Sequence, residues 1–287
     1  MNISILSSSD YECEFLLKDS SGPIANALRK VMMNEIPVLA IDKIEEIKNT
    51  SVLTNEQIIQ RLYLIPIVSS SEMAEKLELH DKCKCDKDCE KCSIPFSISV
   101  ENNTNKNKTV YADDIIMSSL NSGIKVFKQG QYSIPITKLA PSQKLIVKGY
   151  IKKGLGKQHA KWIPTGTAFY KFMPVVKINN GSELSNEDKE KLISICPTKV
   201  FSSSSKSLKN SKNKKSTSSN LVDIEDISSN ILIDSTKCTL CNECVYQFPK
   251  NAEVGYTSDE IVFSVESVGS LRVDKIINDS LEFLKNI

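Results

Sequence analysis

The chain has 287 residues, 40% hydrophobic and 25% charged, an ordinary globular balance that supports a sizeable core and two or three domains. A net charge of +2 argues against a protein that holds DNA alone through its phosphates, which needs a larger or more focused basic excess. There is no run of about 18 apolar residues, and the opening MNISILSSSDYECEF has no basic region leading into an apolar core. Neither a membrane span nor a signal peptide is therefore expected, and the protein reads as soluble and intracellular.

The stretch from Ile3 to Leu17 alternates loosely and reads as one strand, ending in the turn Lys18-Asp19-Ser20-Ser21-Gly22. Pro23 suits the first turn of a helix. Ile24, Leu28, Val31 and Met32 then fall on one face at helical spacing, and Pro37 ends the helix. A strand is expected over Val38–Ile47, and a short helix from Thr54 to Tyr63. Further on, Ser97–Val100, Lys144–Ile151 and Thr167–Phe172 are strand candidates. Phe201–Asn220 is almost entirely Ser, Lys and Asn. It cannot bury enough apolar surface to offset its ordering entropy and reads as a disordered loop. Order returns at Ile231. An alternating strand, Ile261–Glu266, precedes an amphipathic helix with Val273, Ile277, Leu281 and Leu284 on one side.

Nine cysteines are many for such a chain, and in a reducing compartment clustered cysteines bind metal more often than they pair. Cys83, Cys85, Cys89 and Cys92 have CxCxxxCxxC spacing. Four thiolates so close together can wrap one tetrahedral ion, and Zn²⁺ favours such soft ligands. With every ligand supplied by protein, the expected role is structural. Lys82, Lys84, Lys87 and Lys91 would offset part of the negative charge, and His80 is a possible substitute ligand. The alternatives are two disulfides or free thiols.

Cys238, Cys241 and Cys244 form a CxxCxxC followed by Phe248-Pro249, and Cys196-Pro197 stands upstream. Ferredoxin-type clusters use CxxCxxCxxxCP, with the last cysteine serving the other cluster in two-cluster proteins. Phe248 and Leu192 occupy positions where further cysteines would fall. Crossing the halves leaves Cys196, Cys238, Cys241 and Cys244, the ligand count of one [4Fe–4S] cluster. A zinc ion on the same cysteines, or a vestigial fold with none, are the alternatives.

Several segments together carry a family resemblance. Gly22-Pro-Ile-Ala-Asn-Ala-Leu-Arg-Lys-Val-Met-Met-Asn-Glu-Ile-Pro37 resembles the signature helix of the alpha-like assembly subunits of multisubunit DNA-dependent RNA polymerases, with Lys30 where a second arginine is usual. Asn49–Leu53 and Arg61-Leu-Tyr-Leu-Ile-Pro66 are similar to the same family, with Tyr63 where glycine is common. Lys152–Pro164 resembles the form found in the third-largest subunit of RNA polymerase II, and Phe263–Ser270 with the following helix resembles the family's C-terminal end. A zinc loop is similar to that of the polymerase II form. A ferredoxin-like insertion is similar to that of some archaeal D subunits.

The resemblance implies an α+β fold: a two-ended dimerisation domain of antiparallel sheet plus helices (residues 1–50, 166–181 and 255–287), interrupted by two insertions. One is a β-rich zinc-bearing domain (51–165) and the other a small ferredoxin-like insertion (182–254) containing the loop 201–220. It also implies a non-catalytic subunit that pairs with a smaller alpha-like subunit and forms the platform for the two large catalytic subunits, touching nucleic acid only through the complex. The interface residues it implies are Ile24, Asn26, Leu28, Arg29, Lys30, Val31, Ile277, Leu281 and Leu284, with the Arg29 and Lys30 side toward a large subunit. The expected location is the nucleus, or the cytoplasm or virion for an archaeal or viral owner.

No phosphate-binding G-x-x-x-x-G-K-[ST], no G-x-G-x-x-G after a strand and no Asp-rich polymerase metal motif occurs in the chain, which leaves two-metal nucleotidyl transfer to another subunit. His159 has no catalytic partner near it in sequence and reads as structural. Lys152, Lys153, Lys157 and Lys161 form a basic stripe that reads as a solvated or subunit-facing surface, without the aromatic interleaving of a stacking platform. A competing function is an iron–sulfur protein of electron transfer or redox sensing, built on the 196–244 cysteines. A zinc-dependent DNA-binding module is a third, which the weak net charge disfavours.

Overall fold

The computed structural model describes residues 2–69, 72–85, 88–117, 124–179, 184–203, 225–227 and 231–286. Its sheets are antiparallel in every strand pair whose register is defined, and helices accompany them, so the fold is mixed α+β. Among the described residues no helix is long and apolar enough to cross a membrane. The chain divides into two compact units: Met1–Leu6, Glu14–Ala25 and Tyr170–Phe263 form the first, and Ser7–Cys13, Asn26–Phe169 and Ser264–Ile287 the second.

The opening segment is two strands, β1 (Asn2–Ser8) and β2 (Glu12–Lys18), where one was expected. The break is local turn chemistry: the Ser9 hydroxyl accepts the amides of Tyr11 at 3.4 Å and Glu12 at 3.0 Å. Helix α1 (Gly22–Asn34) follows, then β3 (Val38–Asn49) and helix α2 (Asn55–Tyr63). Thr54 and Gln57 close a reciprocal capping box at the start of α2, which fixes where it begins, and its buried Ile58 and Leu62 tie it to the core.

The second unit continues with β4 (Ile67–Val68), α3 (Glu72–Lys76), β5 (Ser93–Glu101), β6 (Lys108–Tyr111), β7 (Ile116–Met117), β8 (Lys125–Val126), β9 (Pro135–Leu139) and β10 (Lys144–Gly154). Its main sheet has the order β3-β10-β5-β7. Strand β10 pairs on both sides, with Ile151 opposite Ile41 of β3 and Ile94 of β5. These side chains, with Phe96, Ile98 and Val147, form a continuous buried cluster with Ile58 and Leu62 of α2. The register shifts beside Gly149, where a Cβ would strike the Lys43 carbonyl, so the bulge requires glycine.

The first unit holds most of a sheet in the order β1-β2-β15-β11, where β11 is Thr165–Ile178 and β15 is Ala252–Ser267. Phe15 stacks on Phe263 with the rings 1° from parallel at 5.1 Å, and Tyr170 lies 5.4 Å from the same Phe263. Between β11 and β15 lie helix α4 (Asn186–Ile195), strands β12 (Phe201–Ser203), β13 (Glu225–Ile227) and β14 (Ile231–Ile233), and the short helix α5 (Glu243–Gln247). The loop expected over 201–220 is corrected at its start, because Phe201 is buried and pairs with Ile233; residues 204–220 lie outside the described residues. Helix α6 (Val273–Lys285) ends the chain's regular structure, within the second unit.

Candidate metal centres and assembly helices

Cys83, Cys85 and Cys89 lie between a single 3-10 turn (His80–Lys82) and the start of β5, and Cys92 immediately precedes Ser93. A tight turn gathers them: the amides of Cys92 and Ser93 both donate to the Cys89 carbonyl, at 3.1 and 2.9 Å. The sulfurs of Cys83 and Cys89, of Cys85 and Cys92, and of Cys89 and Cys92 are each 3.6 Å apart, and all four gather within 4.8 Å. An ion about 2.3 Å from each sulfur of a tetrahedron sets those sulfurs about 3.8 Å apart, so the spacing fits one metal ion. The Lys91 amide brings the Cys89 thiol down to about 7, while the hydrogen bond with Cys83, then burial, pushes Cys85 up to about 12. His80 places Nδ1 3.5 Å from the Cys92 sulfur, suited to donating to a thiolate rather than replacing a ligand. Lys87 lies outside the described residues.

Cys196, Cys238, Cys241 and Cys244 line one hollow in the first unit, together with Val176, Val200 and Phe201. Cys196 caps the end of α4 and its sulfur accepts the Val200 amide at 3.3 Å. Leu240, in a left-handed conformation with φ 59°, donates its amide to the Cys238 sulfur at 3.4 Å. Asn242, φ 61°, opens α5 and so turns Cys244 inward, where it is buried, while Cys241 stays exposed. Lys171 donates to the carbonyls of Thr236 at 2.9 Å and Cys238 at 3.4 Å. These four sulfurs do not gather to single-ion spacing, since the first set alone does so among the described residues. The hollow is small, with room for about one water at about 10 Å³, and is partly open to solvent at the exposed Cys241. Leu192, read as a lost ligand position, is a buried core residue of α4, and Phe248 packs on the same core.

On α1, Ile24 is 46% exposed and Lys30 is exposed, whereas Leu28 and Val31 are buried within the chain. Arg29 is held in place by donating to the Asn26 side chain at 3.0 Å. On α6, Val273, Ile276 and Ser280 are buried, Ile277, Leu281 and Leu284 are half-buried, and Phe283 is exposed.

Within the stripe of lysines, Lys152 and Lys161 are buried in ion pairs, whereas Lys157 is exposed. Lys152 pairs with Asp88 at 2.7 Å and Asp42 at 3.5 Å, and Lys161 pairs with Asp42 at 2.6 Å. Lys153 donates to the carbonyls of Glu75 and Leu77, and burial lowers its pKa below the usual lysine value. Lys157 pairs with Glu35 at 2.7 Å. His159 is structural: its Nδ1 accepts the Lys161 amide at 3.1 Å. Sequence reading missed Asp42, Lys43, Tyr63 and Asp88 as partners of this set. The one available signal is Asp88, a carboxylate inside an otherwise lysine-rich cysteine loop, and its partner Lys43 is 45 residues away.

Residues 43–175 match a family model described as the RNA polymerase Rpb3/RpoA insert domain. The chain is similar to DNA-directed RNA polymerase II subunit rpb3 of Dictyostelium discoideum, 32% identical over 94% of this chain and 87% of that protein. It is 30% identical to the DNA-directed RNA polymerases I and III subunit rpac1 of the same organism, over 98% of this chain and 77% of that protein. It is 31% identical to DNA-directed RNA polymerase subunit Rpo3 of Methanobrevibacter smithii, over 96% of this chain and 92% of that protein.

Proposed function

The chain belongs to the Rpb3/RpoA-type family of alpha-like subunits of DNA-directed RNA polymerase, and from that membership we propose that it works as the larger half of a heterodimeric assembly platform. It is a non-catalytic subunit of the polymerase and not an enzyme by itself, a reading supported by relatives named as subunits of DNA-directed RNA polymerase. Electron transfer as the primary function is not favoured. The proposed partner is a smaller alpha-like subunit, and the two large catalytic subunits assemble on the pair. The observation that carries this reading is the run of apolar side chains left partly open to water on α6, Ile277, Leu281, Phe283 and Leu284.

In this reading residues 1–50, 166–181 and 255–287 make the dimerisation domain, 51–165 the zinc-bearing insertion and 182–254 the ferredoxin-like insertion. Arg29 and Lys30 face a large subunit. Cys83, Cys85, Cys89 and Cys92 hold one structural zinc, supported by their spacing and by a donor set that leaves no position open for water. Cys196, Cys238, Cys241 and Cys244 hold one [4Fe–4S] cluster, supported by their convergence on one hollow and by amides already aimed at two of the sulfurs. The protein's place is with the transcription machinery, the nucleus in a eukaryotic cell.

Co-expression with a smaller alpha-like subunit tests the platform. A 1:1 heterodimer is expected, and Leu281→Asp should weaken it at least tenfold. A well-behaved monomer with no affinity for that subunit overturns the reading. Metal analysis of the same material should find one zinc per chain. Anaerobic reconstitution should add about four irons; uptake of a second zinc without visible absorbance overturns the cluster.

A further inference from the structure

The cysteine loop is fastened to the rest of the second unit by a ladder of alternating charges. Lys43 of β3 pairs with Asp88 at 2.8 Å, and Asp88 with Lys152 of β10 at 2.7 Å. Lys152 reaches Asp42 at 3.5 Å, and Asp42 pairs with Lys161 at 2.6 Å. Lys161 stands over the rings of Tyr63 and Trp162, 4.3 and 4.5 Å from their centroids. Three cations thus alternate with two anions, and the aromatic faces take the surplus positive charge. Three rungs are dry, with the side chains of Asp88, Lys152 and Lys161 only 7%, 8% and 6% exposed, while Asp42 is partly open to water.

A second tie runs beside the ladder. Gln158 donates to Asp81 at 2.5 Å, and Asp81 lies in the turn that carries His80 to the Cys92 sulfur. Gln158 is itself held, because its side-chain oxygen accepts the Leu155 amide at 3.0 Å. The 155–162 segment is in turn fastened to the exit of α1. The Lys157 amide donates to the Asn34 carbonyl at 3.3 Å, its ammonium pairs with Glu35 at 2.7 Å, and Gly156 passes so close to the Met33 carbonyl that a Cβ has no room.

We infer that Asp88 and Asp81 are positioning residues through which the cysteine loop steadies the 155–162 segment, which is itself fastened to the C-terminal end of α1. This rests on the reading of Cys83, Cys85, Cys89 and Cys92 as a metal site. Both aspartates lie within or beside the loop that the ion closes, and neither is a ligand. Without the ion the loop is free to open, and Asp88 moves with Cys89. Lys43, Lys152 and Lys161 then share Asp42 and the exposed Glu45, which pairs with Lys43 at 3.2 Å. The ladder loses one of its two anions and Gln158 loses Asp81, so the 155–162 segment keeps its ties to α1 and, through Lys161, to Asp42 but loses its brace from the cysteine loop.

Amide hydrogen exchange on the full chain, loaded with zinc or stripped with EDTA, tests this. Stripping should speed exchange at Lys157, Trp162 and Ile163 at least tenfold, and leave β6 and β9 unchanged. Asp88→Asn should keep one zinc per chain and show the same acceleration with the metal bound. Gln158→Ala should show a smaller one, and Asp113→Asn, in a surface pair with Lys128, none. A stripped wild type that exchanges at the loaded rate, or a zinc-bound Asp88→Asn at the wild-type rate, overturns the inference and leaves the metal site standing. A wild type that takes up no zinc removes the metal reading and this inference with it. Should Asp88→Asn fail to fold, Gln158→Ala decides, its wild-type rate at Lys157 and Trp162 being the overturning result.

Discussion

Replacing Lys152 by Met removes the middle cation of the charge ladder while keeping most of the side-chain volume. Breaking a buried ion pair by deleting one partner costs about 3–5 kcal/mol when the remaining charge is left uncompensated. Here neither carboxylate is stranded. Asp88 keeps Lys43 at 2.8 Å, and Asp42 keeps Lys161 at 2.6 Å. The expected loss is therefore smaller, about 1–3 kcal/mol. Lys43→Met alone should cost little, because its ammonium is half-exposed and Asp88 retains Lys152. The double variant leaves Asp88 buried with no cation, so its cost should exceed the sum of the singles by about 1 kcal/mol or more. The chain's one tryptophan, Trp162, stands at the end of the ladder, so its fluorescence during urea unfolding at saturating zinc follows this region directly. Strict additivity of the two single variants would refute the alternating-charge account.

Three further outcomes are expected. Glu46, held between Lys148 and Lys48 at 2.8 and 2.9 Å, has its carboxyl brought from 4.5 down to about 2. A lowered carboxyl contributes stability above its unfolded value, so wild type should exceed Glu46→Gln near neutral pH, and the gap should close as pH falls from 4.5 toward about 2, followed by thermal melts across that range. Thr54→Ala removes the capping box of α2 and should cost about 1 kcal/mol, read from the urea midpoint. Cys196→Ser should lower the iron content of the reconstituted chain, whereas Phe248→Ala should leave iron uptake intact and cost only packing.

The parts of the fold that a reader can find in the sequence are those whose cause is local. Helix α1 shows its apolar face at helical spacing, α2 shows Thr54 and Gln57 at its start, and β3 and β10 alternate. The first cysteine set is visible for the same reason, since all its ligands lie within one short loop. Helix α4 was missed although it carries a local signal, Ser185 accepting the Asp188 amide at its N-terminus; with Leu192 its one buried side chain, it shows no periodic stripe. Strands β6 and β9 are too short to establish a pattern, and they depend on each other for pairing. The burial of Lys152 and Lys161 was not legible because the carboxylates that pair with them come from β3 and the cysteine loop, and nothing near Lys152 in sequence announces them.

Why the cysteine loop sits where it does follows from register in the main sheet. Cys92 leads directly into β5, and the first residue of that strand, Ser93, pairs with Lys152 of β10. On the other side of β10, Lys152 is opposite Ala40, two residues before Asp42. One lysine at the end of the central strand is thus placed between the loop that precedes one neighbour and the acidic residue of the other. Side chains alternate faces along a strand, so a one-residue slip would turn Lys152 to the opposite face and separate it from both aspartates. Gly149 and its bulge stand between the regular part of β10 and this end, and with a second shift between Tyr150 and Ile151 they set the register in which Ile151 meets Ile41 in the core while Lys152 meets the acids. Filling Gly149 with a larger residue would therefore disturb more than the local bulge: it would misalign the ladder that holds the metal loop, although Gly149 touches neither cysteine nor aspartate.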